Sequence, residues 1–174
     1  DGRTMYNYKI TAQVKRKKKA GAGALKAVMI MFGVLFVLMG IMFSRGFMLP
    51  GFLIVGLYFV YDIFSRKEYE YVLEGANFTV AVITGKRYRR EVHSLNLQEL
   101  ETVAPNWHEK VAKYRIKGGT ERLKKYDYTS YDDNIPYYTM IIVEDGRKIK
   151  LLLDLNDEMM HAIKRICPDK VYFA

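Results

Sequence analysis

Between Ala27 and Ser44 no charged residue interrupts the chain, and Val, Met, Phe, Leu and Gly fill the run without a polar position recurring at helical spacing. A helix needs about 20 apolar residues to cross a bilayer, and this run is about 18 long. A second apolar run extends from Gly46 to Tyr61, and to Phe64 if Asp62 reaches the headgroups, with Tyr58 and Tyr61 suited to the interface. Ser44-Arg45-Gly46 and Pro50-Gly51 supply a tight turn between the runs, so the pattern predicts two antiparallel helices. A helix pair buried in a soluble core would show a polar stripe, which neither run has. A cleaved signal peptide would be shorter and would end on small residues, unlike Ser44-Arg45-Gly46-Phe47.

Past Ser65 the period falls towards two, and turn signals punctuate the chain. Tyr69 to Leu73, Phe78 to Thr84 and Tyr88 to Leu95 read as strands joined by Glu74-Gly75-Ala76-Asn77 and Gly85-Lys86. Leu100 to Ala104 is a candidate fourth strand. Val111 to Ile116 alternates well enough for another, Gly118-Gly119 breaks it, and Lys124 to Tyr131 is polar and tyrosine-rich. Tyr138 to Glu144 and Lys148 to Leu153 flank Asp145-Gly146, a strong hairpin signal. A closing helix follows, with Asn156 as N-cap, Asp157 and Glu158 in its first turn, Lys164 and Arg165 near its end, and Pro168 beyond it. Met159, Met160, Ile163, Ile166 and Cys167 form its apolar face, with the sheet as the expected partner.

Six or seven antiparallel strands capped by one C-terminal helix is the order of a pleckstrin-homology (PH) barrel. The segments Tyr69-Glu70-Tyr71-Val72-Leu73, Phe78-Thr79-Val80, Gly85-Lys86-Arg87-Tyr88-Arg89-Arg90 and Asp157 to Val171, ending Cys167-Pro168-Asp169-Lys170-Val171, resemble uncharacterised bacterial two-span membrane proteins with a cytoplasmic PH-like domain, the YcxB-like group. The resemblance covers about residues 24 to 173. It implies an α+β membrane protein: a transmembrane α-helical hairpin, then a PH-like antiparallel β-barrel or sandwich capped by a C-terminal α-helix. Residues 1–23 then form a tag remnant, Asp1 to Met5, and a basic cytoplasmic N-terminus; 24–64 the hairpin; and 65–174 the PH-like domain. Membership also implies a bacterial plasma membrane.

Charge adds orientation. Lys15, Arg16, Lys17, Lys18, Lys19 and Lys26 precede the first run, Arg66 and Lys67 follow the second, and the turn between holds only Arg45. Positive residues beside a span stay in the cytoplasm, so both termini are expected there, in a multi-pass arrangement. The net charge of +9 owes much to these flanking lysines, and no recognition helix or RNA-binding aromatic motif accompanies it, so no nucleic-acid partner is expected. The lone Cys167 lies on an apolar helix face and reads as a buried thiol.

No nucleophile elbow, Walker loop, His-Glu-x-x-His or paired cysteines occur, so no enzyme activity, cofactor or metal site is expected. Asp127, Asp132, Asp133 and Asn134 lack the EF-hand spacing and read as turn residues. Lys86, Arg87, Arg89 and Arg90 crowd one hairpin and are the candidate contacts for anionic lipid headgroups or a protein partner, against the plainer reading of a solvated tip. The turn between the first two strands, which PH domains often use for lipid, carries no basic residue. Trp107, Tyr114, Tyr126, Tyr128, Tyr131, Tyr137 and Tyr138 make the middle of the domain aromatic, as core positions or as a binding surface. Small residues such as Gly33 and Gly40 leave a homo-oligomer open. The function expected is a membrane-anchored, non-enzymatic binding or scaffold module, integral to the lipid bilayer. An accessory subunit of a larger membrane complex and an enzyme with a cryptic site are the alternatives.

Overall fold

A computed structural model describes residues 9–17 and 21–174. The chain divides into two compact units: a helical one, Lys17–Lys67 with Thr84–Tyr88, and a β one comprising the stretch up to Arg16, Glu68–Ile83 and Arg89–Ala174.

In the helical unit, α1 (Ala22–Met42) and α2 (Met48–Ser65) pack side by side. Both helical segments are long and apolar enough to cross a membrane. The turn differs from expectation in one respect. Ser44 Oγ accepts from Gly46 N at 3.4 Å and opens a 3-10 turn, Arg45–Phe47, that runs straight into α2. Pro50 therefore lies in the first turn of α2, where its missing N–H costs nothing. A Cβ on Gly51 would stand 2.9 Å from Gly33 O, and one on Gly33 would stand 2.5 Å from Val55 Cγ2. Gly33, Gly40 and Gly51 thus serve the close approach of the chain's own two helices.

The β unit holds two four-stranded sheets. The first runs β1 (Lys9–Lys15), β2 (Lys67–Glu74), β3 (Asn77–Thr84) and β4 (Tyr88–Asn96) in that order. Strand β1 falls in the segment read as a basic tail. It alternates cleanly, with Ile10 buried and Ala12 and Val14 packed on the core, and it pairs antiparallel with β2. Lys9 lies opposite Glu74 and Lys15 opposite Glu68, so the register sets unlike charges across both ends.

The second sheet has the order β5 (Leu100–Pro105), β7 (Tyr138–Glu144), β8 (Arg147–Leu153), β6 (Lys124–Tyr128). Asp145 (φ 50°) and Gly146 (φ 74°) make the tight β7–β8 turn that the Asp-Gly pair announces. Three expectations are corrected here. The sheets form no closed barrel, because the chain crosses from β4 to β5 through a 3-10 turn at Leu97–Glu99 and the two sheets stay separate. The pairing is not wholly antiparallel: β6 lies parallel to β8, with the 129–137 loop carrying the chain past β8 to β7. Val111 to Ile116 is no strand: Val111 to Tyr114 belong to a 3-10 segment, Glu109–Tyr114, capped where His108 Nδ1 accepts from Lys110 N at 3.2 Å, and Arg115 and Ile116 follow it. Val111 and Tyr114, three apart, both face inward.

Inward residues of both sheets, including Tyr71, Phe78, Leu95, Met140, Ile142, Leu151 and Leu153, form one core with α3 (Asp157–Ile166). Asn156 Oδ1 accepts from Met159 N at 2.8 Å, the expected N-cap. Met159, Met160, Ala162 and Ile163 are buried, while Ile166 is turned outward. Cys167 is buried, its thiol directed at Leu97 O at 3.2 Å. The tail then lies along β5, with Val103 N donating to Lys170 O at 2.8 Å.

Candidate functional site

The basic hairpin tip is shaped by two left-handed residues, Gly85 (φ 61°) and Lys86 (φ 64°). Gly85 N donates to Arg66 O at 3.1 Å, and a Cβ there would come 3.1 Å from Ile63 Cγ2, so the tip belongs to the helical unit. Its four basic residues are not equivalent. Lys86 and Arg87 are exposed turn residues of that unit, whereas Arg89 and Arg90 belong to the β unit. Arg89 reaches Glu70 at 2.9 Å and Glu91 at 3.4 Å, and the Glu70 hydrogen bond holds its pKa above the usual value.

The residues expected to flank the membrane also separate. Lys18 and Lys19 lie outside the described residues. Lys15 closes β1, Lys67 opens β2, and Arg66 pairs with Asp62 at 3.0 Å. Arg16 has a structural place in the β unit. Its guanidinium sits over the rings of Tyr69 (4.7 Å) and Tyr131 (4.1 Å) and donates to Asp127 O at 2.6 Å and Thr129 O at 3.2 Å. The Asp127 carboxylate lies 3.6 Å away. Burial pushes the Tyr69 phenol up to about 12, against the pull of Arg16.

A polar seam joins the two sheets. Buried His93 on β4 meets Glu144 Oε2 through Nδ1 at 2.8 Å and the Tyr128 hydroxyl through Nε2 at 2.7 Å. Tyr71 is fully buried; its hydroxyl donates to Tyr128 O and accepts from Asp154 N at 3.2 Å. Burial raises the phenol pKa of both Tyr71 and Tyr128. The residue set resembles a proton relay, but both His93 nitrogens are engaged and its side chain is only 3 % exposed, so the seam ties sheet to sheet.

The outer face of the second sheet carries what pattern reading missed. Strand alternation and the parallel register put Lys125, Asp127, Lys150 and Leu152 on that face, with Lys125 directly opposite Lys150. The 106–117 segment and the 129–137 loop wall it in, leaving a cavity of about 760 Å³. Arg115 braces one wall by donating to the carbonyls of Asn106 (3.3 Å), Trp107 and His108 (3.2 Å). On the other wall Asp127 Oδ1 accepts from Thr129 N and Oγ1, and Asp132 Oδ1 accepts from Asn134 N, the turn chemistry expected of them. Trp107, Ile116 and Ile135 are exposed at its rim. Lys150 is only 6 % exposed, and its ammonium donates to Tyr114 O at 2.7 Å. Burial lowers its pKa, and the Lys125 charge lowers it further.

A family described as bacterial PH-like domain (DUF6106) matches residues 10–173. No curated protein and no solved structure matches the chain.

Proposed function

The chain belongs to this bacterial PH-like domain family, and from that premise we propose a non-enzymatic binding or scaffold module, anchored by α1 and α2 in the bacterial plasma membrane. In this reading the helices span the bilayer as the two spans of the YcxB-like group do. Both termini face the cytoplasm, where the PH-like domain meets a protein partner or anionic headgroups. One observation carries it: the large apolar side chains of the hairpin point outward, Met42 at 76 %, Phe43 at 75 % and Leu49 at 77 % exposure. Water rarely tolerates a continuous apolar surface of that kind, whereas lipid solvates it, and the helices satisfy their own backbone. Lys86 and Arg87, free of the carboxylates that hold Arg89, are the contacts offered to anionic groups.

The test is fractionation with topology. In a Cys167→Ser background the chain should resist carbonate extraction. Arg45→Cys should react with a membrane-impermeant maleimide in intact cells, and Asp169→Cys only after lysis. Release into the soluble fraction, or the opposite labelling pattern, would overturn the reading.

A further inference from the structure

The cavity on the outer face of the second sheet has one unusual property. Lys150 is buried as deeply as a core residue, yet among the described residues no carboxylate lies within ion-pair distance of it. Of the three N–H donors on its ammonium, one is accounted for, by Tyr114 O. The side chain directly across the sheet is another cation, Lys125, itself without an ion pair among the described residues. Burying an ammonium without a counter-charge is costly, and like charges opposite one another in a sheet repel. Four aspartates also line the cavity, and none of them is within ion-pair distance of Lys150 or Lys125. Asp127 is engaged by Arg16 and Thr129, Asp154 Oδ2 accepts from Ser130 N at 2.9 Å, Asp132 Oδ1 accepts from Asn134 N at 3.1 Å, and Asp133 is an exposed residue of the 129–137 loop. The floor therefore presents a buried lysine and an exposed one, neither ion-paired among the described residues, beneath a space large enough for a small organic molecule.

We propose that this cavity binds a phosphate monoester, with Lys150 and Lys125 receiving the phosphate and Trp107 and Ile116 contacting the organic part. Two lysines set opposite each other across the sheet match a dianion better than the single charge of a carboxylate, and a phosphate offers each of them its own oxygen. Lys117 and Arg115 also line the cavity, so its four basic residues face four aspartates, and the phosphate is placed at the lysines because the hydrogen bonds of Asp127, Asp132 and Asp154 go to other groups. The exposed indole and Ile116 side chain at the rim supply apolar surface for the rest of the molecule. The ligand is either a soluble phosphomonoester or a lipid bearing the same group. The proposal goes beyond the membrane reading, since a titration in detergent solution proceeds wherever the chain resides.

Trp107 is the single tryptophan of the chain and lines the cavity, so its fluorescence reports on this site. The purified full chain, in detergent and in phosphatidylcholine nanodiscs, would be titrated with phenyl phosphate and with benzoate. Nanodiscs containing phosphatidic acid form a second arm. A saturable change with phenyl phosphate, weakened at least about tenfold by Lys150→Met and by Lys125→Gln, supports the proposal and identifies a soluble ligand. A change seen only with phosphatidic acid, and lost in the same variants, supports it and identifies a lipid headgroup. Lys125 is exposed, so Lys125→Gln keeps the test valid if Lys150→Met folds poorly. No saturable change in either arm overturns the proposal. So does a change equal in wild type and variants, or benzoate binding as tightly as phenyl phosphate.

Discussion

Arg16 and Lys150 are two cations drawn out of water by the same β unit, and their surroundings could hardly differ more. Arg16 has two aromatic rings, two carbonyls and a carboxylate around its guanidinium. Lys150 has one carbonyl and a lysine opposite. The first is a completed structural contact, and the second is half of one. Burial alone therefore does not reveal what a charge is for; the state of its partners does.

Removing the completed cation should have the largest effect. Arg16→Met leaves two carbonyls and Asp127 without their donor and detaches β1 from the 129–137 loop. We expect a loss of about 2–4 kcal/mol in urea unfolding of the solubilised chain, followed by near-ultraviolet circular dichroism. Arg16→Lys should recover only part of this, because an ammonium cannot donate in a planar fork or stack between rings. A loss below about 0.5 kcal/mol would return Arg16 to the role of a simple flanking charge.

Tyr71 extends the satisfied side of the comparison. Its hydroxyl both donates and accepts at the meeting of the two sheets. Tyr71→Phe keeps the ring packed but strands Tyr128 O and Asp154 N, so a loss of about 1–3 kcal/mol is expected by the same unfolding measurement. Unchanged stability would mean that water replaces the hydroxyl and that the seam is less closed than its burial indicates.

These two sites also mark how far the sequence could be read. The β7–β8 hairpin and the N-terminus of α3 were legible because Asp145-Gly146 and Asn156 act locally, within a few residues of the structure they create. Strand β1 was legible in principle: Lys9 to Lys15 alternates without a fault. Its signal was overlaid by the basic run that continues to Lys19, which reads equally as a membrane flank. The parallel β6 was not legible, since alternation says which face a side chain takes and nothing about which strand lies alongside. The cavity depended on that missing fact. Lys150 in Ile-Lys-Leu-Leu-Leu looks like an ordinary solvent-facing strand position until the Tyr114 segment covers it and β6 brings Lys125 across. The one available clue was the density of aromatic residues between Trp107 and Tyr138, which pattern alone divides poorly between core and binding surface.

The unsatisfied side of the comparison predicts the opposite sign. Lys150→Met retains most of the buried stem and deletes the uncompensated charge, so stability should be unchanged or rise by up to about 1 kcal/mol. A loss comparable to that of Arg16→Met would show that the Tyr114 carbonyl is its essential partner and that the two cations are alike after all.

The smallest expected effect concerns the residue that covers Lys150. Tyr114 gives its carbonyl to Lys150, while its hydroxyl donates to Glu101 at 2.6 Å, and Lys148 reaches the same carboxylate at 3.3 Å. Glu101 stands at the β5 irregularity between Leu100 and Thr102. Burial pushes its pKa up, but the hydrogen bonds from Tyr114 and Lys148 and the lysine charges outweigh it and hold the carboxyl below its usual 4.5. A carboxylate depressed in the folded state contributes stability that is full above its unfolded pKa and is lost as pH falls through its folded one. Acidification from about pH 5 downward should therefore lower the melting temperature slightly through this group, and Glu101→Gln should flatten that part of the profile. The same acidification should loosen Tyr114 over Lys150 and make the Trp107 titration less steep. An identical pH profile in wild type and Glu101→Gln would mean that Val111 and Tyr114 hold this cover by packing alone, which would leave the cavity's shape independent of charge.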